Sequence, residues 1–411
     1  MAIKVIPFFS PLTPENLRDA VLDMMKIDDV EVLMPEDYTT MMQIEPEGVR
    51  GQTYLLVGSG GSENLINDFV HKTSLRSIFL LSHNLNNSLP AAMETRASLA
   101  EQGLRSRIVH DSLAKLAEQL QMRAQYAAVI EKIAASKLGI IGKPSHWLIA
   151  SRVDDALVKE RWGLDFEHMP IETLLDNLDP ELDEESESQF KEFLSSAACT
   201  DISEEEVEKA ALVAQRVSQI VESKRLNAVT IECFDLLMQT KISGCYAMST
   251  LNERDLLVAG CEGDIPSTFT MLLAKHLSGK PVLMANVIDV DLEANTATFA
   301  HCTLPTSLAS DYRIMTHYET GMSLGLRGTI IPQKITVLKV SGEELTNYWV
   351  SSGEIVENLE NETGCRTQIR VKLEESVSYF LDDSLANHHI IILGDFAETF
   401  NDFFSFAIDG W

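Results

Sequence analysis

Two carboxylates flank a glycine just before a predicted helix, at Glu262 and Asp264 in the segment Cys261-Glu262-Gly263-Asp264. The partly positive N-terminus of a helix lowers the cost of holding a carboxylate in its charged form. The charged form is the one that accepts protons or binds cations. The same placement is typical of a helix N-cap, so the spacing by itself leaves a purely structural role open.

Histidines and cysteines supply the other side chains with the potential for chemistry. His301 follows an alternating strand pattern, where it either orients a ligand or is a hydrogen-bonded core histidine. The six cysteines form no CxxC pair, and the chain has no disulfide framework of the short secreted kind. Cys261 and Cys302 lack the closely spaced partners of a zinc site, so we interpret both as buried thiols. Arg366 is interpreted as the partner of an acidic neighbour.

The carboxylate segment leads into a helix and then a β-hairpin. Apolar residues from Phe269 to Leu277 keep helical spacing, and Gly279 followed by Pro281 indicates the end of the helix. Residues 282–290 read as a buried strand, and a polar turn returns the chain through a second strand at 296–302.

The first 150 residues alternate short apolar runs with helical patterns, which favours a parallel sheet covered by helices. Strands are predicted at 3–9, 54–57, 78–81 and 138–141. Two loops follow these strands. Residues 58–61 (Gly-Ser-Gly-Gly) do not form GxGxxG, so close packing of a turn is the preferred interpretation rather than a dinucleotide site. Residues 82–90 are rich in Ser, Asn and His side chains, which suit a polyol substrate or are ordinary turn residues.

The remaining chain divides into a further α/β segment and a β-rich segment. Residues 151–279 predict a second α/β domain that includes an acidic, solvated helical region at 176–208. Residues 280–411 contain successive short strands separated by turns and end in a helix, a pattern typical of an antiparallel sheet or small barrel. The predicted fold class is therefore α/β, with two Rossmann-like domains (1–150 and 151–279) followed by a β-rich, barrel-like domain (280–411).

Composition restricts the classes of partner. The chain has 411 residues, a net charge of −29 and 45% hydrophobic residues, which is the balance of a soluble globular protein. The shortage of clustered Lys and Arg argues against nucleic-acid or anionic-membrane partners. No apolar run approaches the roughly 20 residues of a spanning helix, and the N-terminus lacks the features of a signal peptide. We therefore expect a soluble, cytoplasmic protein.

Several segments in order along the chain resemble the L-fucose isomerase and L-arabinose isomerase-like family of metal-dependent aldose–ketose isomerases, especially its shorter members. The matching segments are NNSLPAA at 86–92, CFDL at 233–236, CEGDIP at 261–266, GKP at 279–281, HC at 301–302, CRTQ at 365–368, ANHH at 386–389 and GD at 394–395. Because they extend from residue 86 to residue 395, the resemblance covers most of the chain.

The resemblance implies a site for a divalent cation, typically Mn²⁺, held by Glu262, by the residue at position 286 and by His388. Position 286 departs from the family, which has an acidic residue there, whereas this chain has Asn286. An amide can bind a cation through its oxygen but cannot move a proton. Asp289 is a substitute only if a bulge brings it to the same strand face, because strict alternation places it on the opposite one.

The resemblance also implies substrate contacts and an assembly. Asn387, His83, Asn87 and His317 become candidate residues for binding the sugar, and His389 is assigned to the core or to a supporting position. A homo-oligomer, trimeric or hexameric, is expected, in which the loop at 83–90 acts on a neighbouring subunit.

Three functional hypotheses remain open. The first is an active isomerase that works through an enediol, with Glu262 and Asn286 in the catalytic set and Glu262 as the base. The second is a divergent isomerase of an anionic or modified sugar, for example a sulfonated or phosphorylated one. The third is a sugar-binding or regulatory protein that keeps the pocket without turnover.

Overall fold

The computed structural model describes residues 3–44, 52–73, 75, 78–176, 178 and 181–409. The chain divides into two compact units, one comprising Met1–Glu131 with Ser405–Trp411 and the other comprising Lys132–Phe404. Among the residues described, no helix is both long enough and apolar enough to cross a bilayer.

The first unit contains a parallel sheet with the strand order β2-β1-β3-β4-β5. Its inner strands are buried along their whole length, as expected for a sheet covered on both faces. The strands are β1 (Ile3–Phe8), β2 (Val30–Val32), β3 (Thr53–Val57), β4 (Ile78–Ser82) and β5 (Ser106–His110), and the helices are α1 (Glu15–Met24), α2 (Pro35–Ile44), α3 (Glu63–Thr73), α4 (Ser88–Glu101) and α5 (Leu113–Ala134).

The two predicted loops of this unit pack against each other. A Cβ on Gly58 would lie 2.2 Å from the Phe9 ring, so the interpretation of residues 58–61 as a closely packed turn is confirmed. The Gly60 N–H donates to the Asn86 carbonyl at 2.7 Å. In the second loop the Ser88 hydroxyl bonds the Val57 carbonyl and the His83 amide, so part of its polar content builds the turn itself.

The second unit begins with another parallel sheet, ordered β10-β9-β6-β7. The predicted boundary at residue 150 groups the strand at 138–141 with the N-terminal domain, whereas that strand pairs within this second sheet. The strands of this sheet are β6 (Lys137–Ile141), β7 (Asp165–Met169), β9 (Ala228–Ile231) and β10 (Val258–Gly260), and the short strand β8 (Cys199–Thr200) lies outside it. The helices are α6 (Asp155–Trp162), α7 (Glu172–Leu175), α8 (Glu184–Ser196), α9 (Glu204–Lys224), α10 (Cys233–Thr240), α11 (Cys245–Asn252) and α12 (Ile265–Ser278).

A closed antiparallel barrel follows, in which the strands pair in the order β11-β12-β17-β16-β15-β18. Apolar side chains such as Phe299, Val337 and Ile391 alternate along its strands and fill its interior. The barrel strands are β11 (Val282–Asp291), β12 (Thr296–His301), β15 (Lys334–Ser341), β16 (Asn347–Asn358), β17 (Thr367–Leu373) and β18 (His389–Leu393).

Five smaller elements lie between or after the barrel strands along the chain. Two of them are short strands that pair antiparallel with each other, and the first of these two strands also pairs parallel with β8. These elements are a 3₁₀ turn (Thr306–Leu308), β13 (Asp311–Met315), β14 (Gly325–Thr329), α13 (Tyr379–Asp382) and α14 (Ala397–Asp409). The mixed α/β class, the parallel sheets and the antiparallel barrel are thus confirmed.

Strand β11 contains a bulge that changes which side chains share a face. Asn286 pairs with Ala300 and Val287 with Phe299, but the next pair is Asp289 with Thr298. Ile288 is therefore an extra residue, and Asp289 lies on the same face as Asn286. The prediction from strict alternation, that these two residues face opposite sides, is wrong because it allows for no inserted residue.

Candidate metal centre

Glu262 reaches the site from a tight turn between β10 and α12. Glu262 and Gly263 both have left-handed backbone conformations, with φ values of 63° and 68°. The turn is held by hydrogen bonds from the Ser145 amide to the Glu262 carbonyl and from the Gly263 amide to the Ile231 carbonyl, both 2.9 Å. Left-handed conformations are costly for residues other than glycine and are concentrated at functional sites.

His388 approaches the same point from the residue before β18. It also has a left-handed backbone, with φ 49°, and its side chain is fully buried. Its Nε2 atom lies 3.5 Å from Glu262 Oε1. Glu262 and His388 are more than a hundred positions apart in the sequence, and only the family resemblance predicts that they meet. In the structure they lie within reach of a common cation.

A third candidate ligand, His301, lies beside Glu262 and His388. One donor atom from each of Glu262, His301 and His388 lies within 4.8 Å of the others, and all three residues are buried. We call these three residues the carboxylate–histidine cluster. His301 Nδ1 is 2.8 Å from the Thr303 hydroxyl, which leaves its other ring nitrogen for a ligand. Two imidazoles and a carboxylate form a donor set that first-row divalent cations accept.

Asp264 fixes the orientation of His388. Its Oδ2 lies 2.9 Å from His388 Nδ1, so in the neutral imidazole the proton stays on Nδ1 and the lone pair of Nε2 faces the cluster. His388 Nε2 is buried and makes no well-formed hydrogen bond, because Glu262 Oε1 lies 3.5 Å away. An unsatisfied buried nitrogen is costly, and a bound cation would satisfy it. The cluster therefore fits a metal ion on its own geometry.

The carboxylate of Asp264 is in turn held by a buried network. Ser267 donates to it through both its amide and its hydroxyl, at 3.0 and 2.7 Å. Lys339, fully buried in the barrel, donates to the Ser267 hydroxyl at 2.9 Å. Asp264 also caps α12, so the capping role and the role at the site coexist in one residue.

The electrostatics favour an ionised Glu262. Burial disfavours its charge, but His388 and the Trp147 indole outweigh burial and hold the pKa of Glu262 below its usual value. The indole Nε1 donates to Glu262 Oε2 at 2.7 Å. Burial likewise opposes the charge on Asp264, yet Lys339 and His388 hold its pKa below its usual range. Both carboxylates are therefore negative at neutral pH.

The two histidines of the cluster differ in charge. Burial opposes the charged form of His388, but Asp264 and Glu262 overcome this and raise its pKa to about 9 in the metal-free protein. Burial, followed by the nearby His388 charge, lowers the pKa of His301 to about 3. His301 thus offers a neutral nitrogen at once, whereas His388 must release a proton before it binds a cation.

Asn286 lies on β11 and is hydrogen-bonded to Asn387, the residue before His388. Its side-chain carbonyl accepts a hydrogen bond from the Asn387 amide, and the Asn387 carbonyl accepts one from the Val287 amide at 3.3 Å. The pair ties β11 to the residue preceding His388. Asp289, although on the same face as Asn286, is exposed and lies outside the cluster.

An aromatic wall stands beside Glu262. The Trp147 and Phe234 rings pack edge to face with their centroids 4.9 Å apart, and the centroids of the Phe234 and His317 rings are 5.7 Å apart. His317 is buried, and its Nε2 lies 3.3 Å from Glu319 Oε2. His389 is packed among the rings of Trp349, Tyr379 and Phe380, as its assignment to the core predicts.

The candidates His83 and Asn87 belong to the first unit. His83 is buried, and its Nδ1 accepts from the Leu85 amide at 3.2 Å. Asn87 has a left-handed backbone with φ 56° and precedes the first residue of α4.

Sequence reasoning left the role of His301 open and did not find Trp147. The signal for His301 was its place at the end of an alternating strand, which is equally typical of a core histidine. No local pattern marks Trp147, because it lies in an irregular segment that tertiary contacts bring to Glu262. A comparison of the chain with protein-family models and with curated proteins finds no match.

Proposed function

We propose that the protein is a metal-dependent aldose–ketose isomerase that works through an enediol, with Mn²⁺ or a similar divalent cation as cofactor. The observation that supports this most directly is the carboxylate–histidine cluster, in which Nε2 of His388 faces Glu262 at 3.5 Å without a well-formed hydrogen bond. When bound there, the cation would polarise the carbonyl and hydroxyl oxygens of an open-chain sugar.

In this proposal the side chains divide the work. Glu262 is ionised and accepts the proton that moves between C1 and C2 of the sugar, as a general base must. Asp264 keeps Nε2 of His388 directed inward, and Trp147 holds one Glu262 oxygen in place. Asn286 acts as an orienting residue through Asn387, since its carbonyl oxygen is already engaged. Asn387 and His317 are the proposed contacts to the sugar hydroxyl groups.

The test is an exchange assay on a panel of aldoses in deuterated water with added Mn²⁺. We expect incorporation of deuterium at the carbon next to the carbonyl and formation of ketose. Glu262→Gln should abolish both, whereas Glu293→Gln, an exposed hairpin glutamate, should leave both unchanged. Turnover that persists in Glu262→Gln contradicts the proposal.

A second candidate is isomerisation of an anionic sugar, such as a phosphorylated or sulfonated one. The charge of the site favours it, because Glu262 is the only carboxylate in the cluster and Asp264 is offset by the buried Lys339. A divalent cation would then leave excess positive charge for an anionic substrate. The same assay with anionic and neutral sugars of matched stereochemistry separates the two candidates. Sugar binding without product would indicate a non-catalytic protein.

We further propose that both parallel sheets are Rossmann-like and that the chain is a cytoplasmic homo-oligomer. The order β2-β1-β3-β4-β5 supports the first point, because it is one of the common doubly wound arrangements. Light scattering after size-exclusion chromatography tests the assembly, since a monomer mass would contradict a trimer or hexamer. The loop at 83–90 is expected to matter for activity only if such an assembly forms.

A further inference from the structure

A second group of metal-binding side chains lies outside the carboxylate–histidine cluster. It consists of Cys302, Glu319 and Cys365, whose donor atoms all lie within 4.8 Å of one another. Cys365 Sγ is 3.3 Å from Glu319 Oε1. Both thiols are buried, whereas 38% of the Glu319 side chain is exposed. We call these residues the thiol cluster.

Three separate chain segments bring the thiol cluster together. Cys302 directly follows β12, and Cys365 lies two residues before β17, the strand that pairs with β12. Glu319 lies between β13 and β14. The short spacings of a zinc motif are therefore absent from the sequence, which is why the sequence analysis interprets Cys302 as a buried thiol.

The thiol cluster is held by its own supporting contacts. Arg366 donates to the Thr316 carbonyl at 2.7 Å and to the Thr316 hydroxyl at 2.8 Å, which fastens the Glu319 loop to the segment that carries Cys365. The Gly321 amide closes the loop on the His317 carbonyl at 2.9 Å. The His317 ring lies 3.3 Å from the second oxygen of Glu319. Ligands that are oriented by further hydrogen bonds are typical of built metal sites.

The distances suit a tetrahedral thiophilic cation. With zinc bonds of about 2.3 Å to sulfur and 2.0 Å to oxygen, ligands at tetrahedral angles lie about 3.5 to 3.8 Å apart. The observed Cys365–Glu319 distance of 3.3 Å is close to that range. Two thiolates and one carboxylate would leave the fourth coordination position of the cation open. The partly exposed side chain of Glu319 is where a cation from solvent would reach the thiol cluster.

The two clusters take neighbouring residues of the chain, His301 in one and Cys302 in the other. Ala300 and Cys302 pack in one hydrophobic core, whereas Phe299 packs in the barrel core, so alternate residues of this segment face different ways. His301 therefore points to the carboxylate–histidine cluster and Cys302 to the thiol cluster. The first offers nitrogen and oxygen donors and the second mainly sulfur, so they select different cations.

We propose that Cys302, Glu319 and Cys365 form a second cation site, specific for Zn²⁺ or a similarly thiophilic divalent ion. Binding converts both thiols to thiolates and releases their two protons, so that two metal–sulfur bonds form and no oxidant is required. This site does not depend on the isomerase activity.

Cobalt provides the test, because Co²⁺ bound to thiolates gives a sulfur-to-metal charge-transfer band. The full-length protein, freed of metal with a chelator, is titrated with Co²⁺. We expect a charge-transfer band that saturates by two equivalents, because the carboxylate–histidine cluster also takes up Co²⁺ but has no sulfur ligand to give the band. The band should disappear in Cys302→Ser and in Cys365→Ser and persist in Glu262→Gln. Cys199→Ser, at a cysteine outside the cluster, is the thiol control. Absence of the band from the wild-type protein overturns the proposal.

Further measurements cover the case in which a serine variant fails to fold. Glu319→Gln changes an exposed side chain and should weaken Co²⁺ binding by about tenfold or more. Glu362→Gln, an exposed glutamate in the turn before Cys365, should have no effect. Zn²⁺ should also protect Cys302 and Cys365 selectively from alkylation in the wild-type protein. Protection of Cys233 and Cys261 instead, whose sulfur atoms are 3.0 Å apart, would place the thiolate site elsewhere.

Discussion

Replacing Asp264 by asparagine tests two roles of this residue, one at the metal site and one in the stability of the fold. Asp264 accepts from His388 Nδ1 at 2.9 Å and also offsets the buried charge of Lys339. Partners that orient a metal-binding histidine are typically worth 10- to 100-fold in metal affinity. We therefore expect Asp264→Asn to weaken Mn²⁺ binding by about 1.4 to 2.7 kcal/mol.

The same substitution should also lower the free energy of unfolding. Asp264 and Lys339 are both fully buried and are connected through the Ser267 hydroxyl, and removing one of two buried opposite charges costs about 3 to 5 kcal/mol. Burial already lowers the pKa of Lys339, so loss of its proton limits the penalty and the lower end of that range is expected. The two losses have different origins and can be measured separately.

The assay compares Asp264→Asn, Lys339→Met and the double variant by Mn²⁺ calorimetry and by urea unfolding. Lys339→Met should lose stability but keep much of its Mn²⁺ affinity, because Asp264 still orients His388. The double variant should regain most of the stability and none of the affinity. Wild-type Mn²⁺ affinity in Asp264→Asn would refute the orienting role, and additive stability losses in the double variant would refute the coupling.

Three further results are expected. Because the pKa of His388 is raised to about 9 in the metal-free protein, Mn²⁺ affinity measured by calorimetry should rise roughly tenfold per pH unit up to about pH 9, and a flat profile would contradict the assignment. Asn286→Asp should tighten Mn²⁺ binding roughly tenfold in the same measurement by adding a charge beside the cluster, and unchanged affinity would place position 286 out of reach. Gly263→Ala should lower the free energy of unfolding in urea by about 2 to 4 kcal/mol, because its Cβ would lie 2.5 Å from the Lys143 carbonyl oxygen. Gly279→Ala, with a similar φ of 64° and open space around it, should cost only about 1 kcal/mol, and equal losses in the two variants would contradict the steric argument.

Strands that are buried and apolar were predictable within one or two residues, as β3, β4 and β6 show. Prediction was poorest where the barrel carries polar residues. The prediction for residues 280–411 is of short strands, whereas β16 has 12 residues and continues through Ser351, Ser352 and Gly353 because strands on both sides satisfy its backbone. Strand β5 was missed because it lies at the edge of its sheet and buries few of its side chains.

At the site, whether a residue's role could be predicted depended on how far along the chain its partners lie. Asp264 was recognisable because capping is a local property of a helix start. The meeting of Glu262 with His388 rested on the family resemblance, since no local physical rule links positions so far apart. The bulge at Ile288 was not predictable from residue types, because β-branched residues fit regular strands equally well. Three-dimensional contacts alone assign Trp147 and the thiol cluster.

In the proposed isomerase, the neutral Asn286 adds no negative charge to the site, and its hydrogen bonds keep the site in place. Asn286 and Asn387 satisfy each other, so the strand that carries position 286 remains tied to the residue before His388. With Glu262 as the only carboxylate in the cluster, a divalent cation would keep one uncompensated positive charge. Such a site holds its cation less tightly than one with two carboxylates. It also attracts a developing enediolate, or an anionic sugar, more strongly, because no second negative group opposes that charge. The proposed function therefore predicts that asparagine at position 286 lowers the affinity for the cation and raises the affinity for negative charge on the substrate.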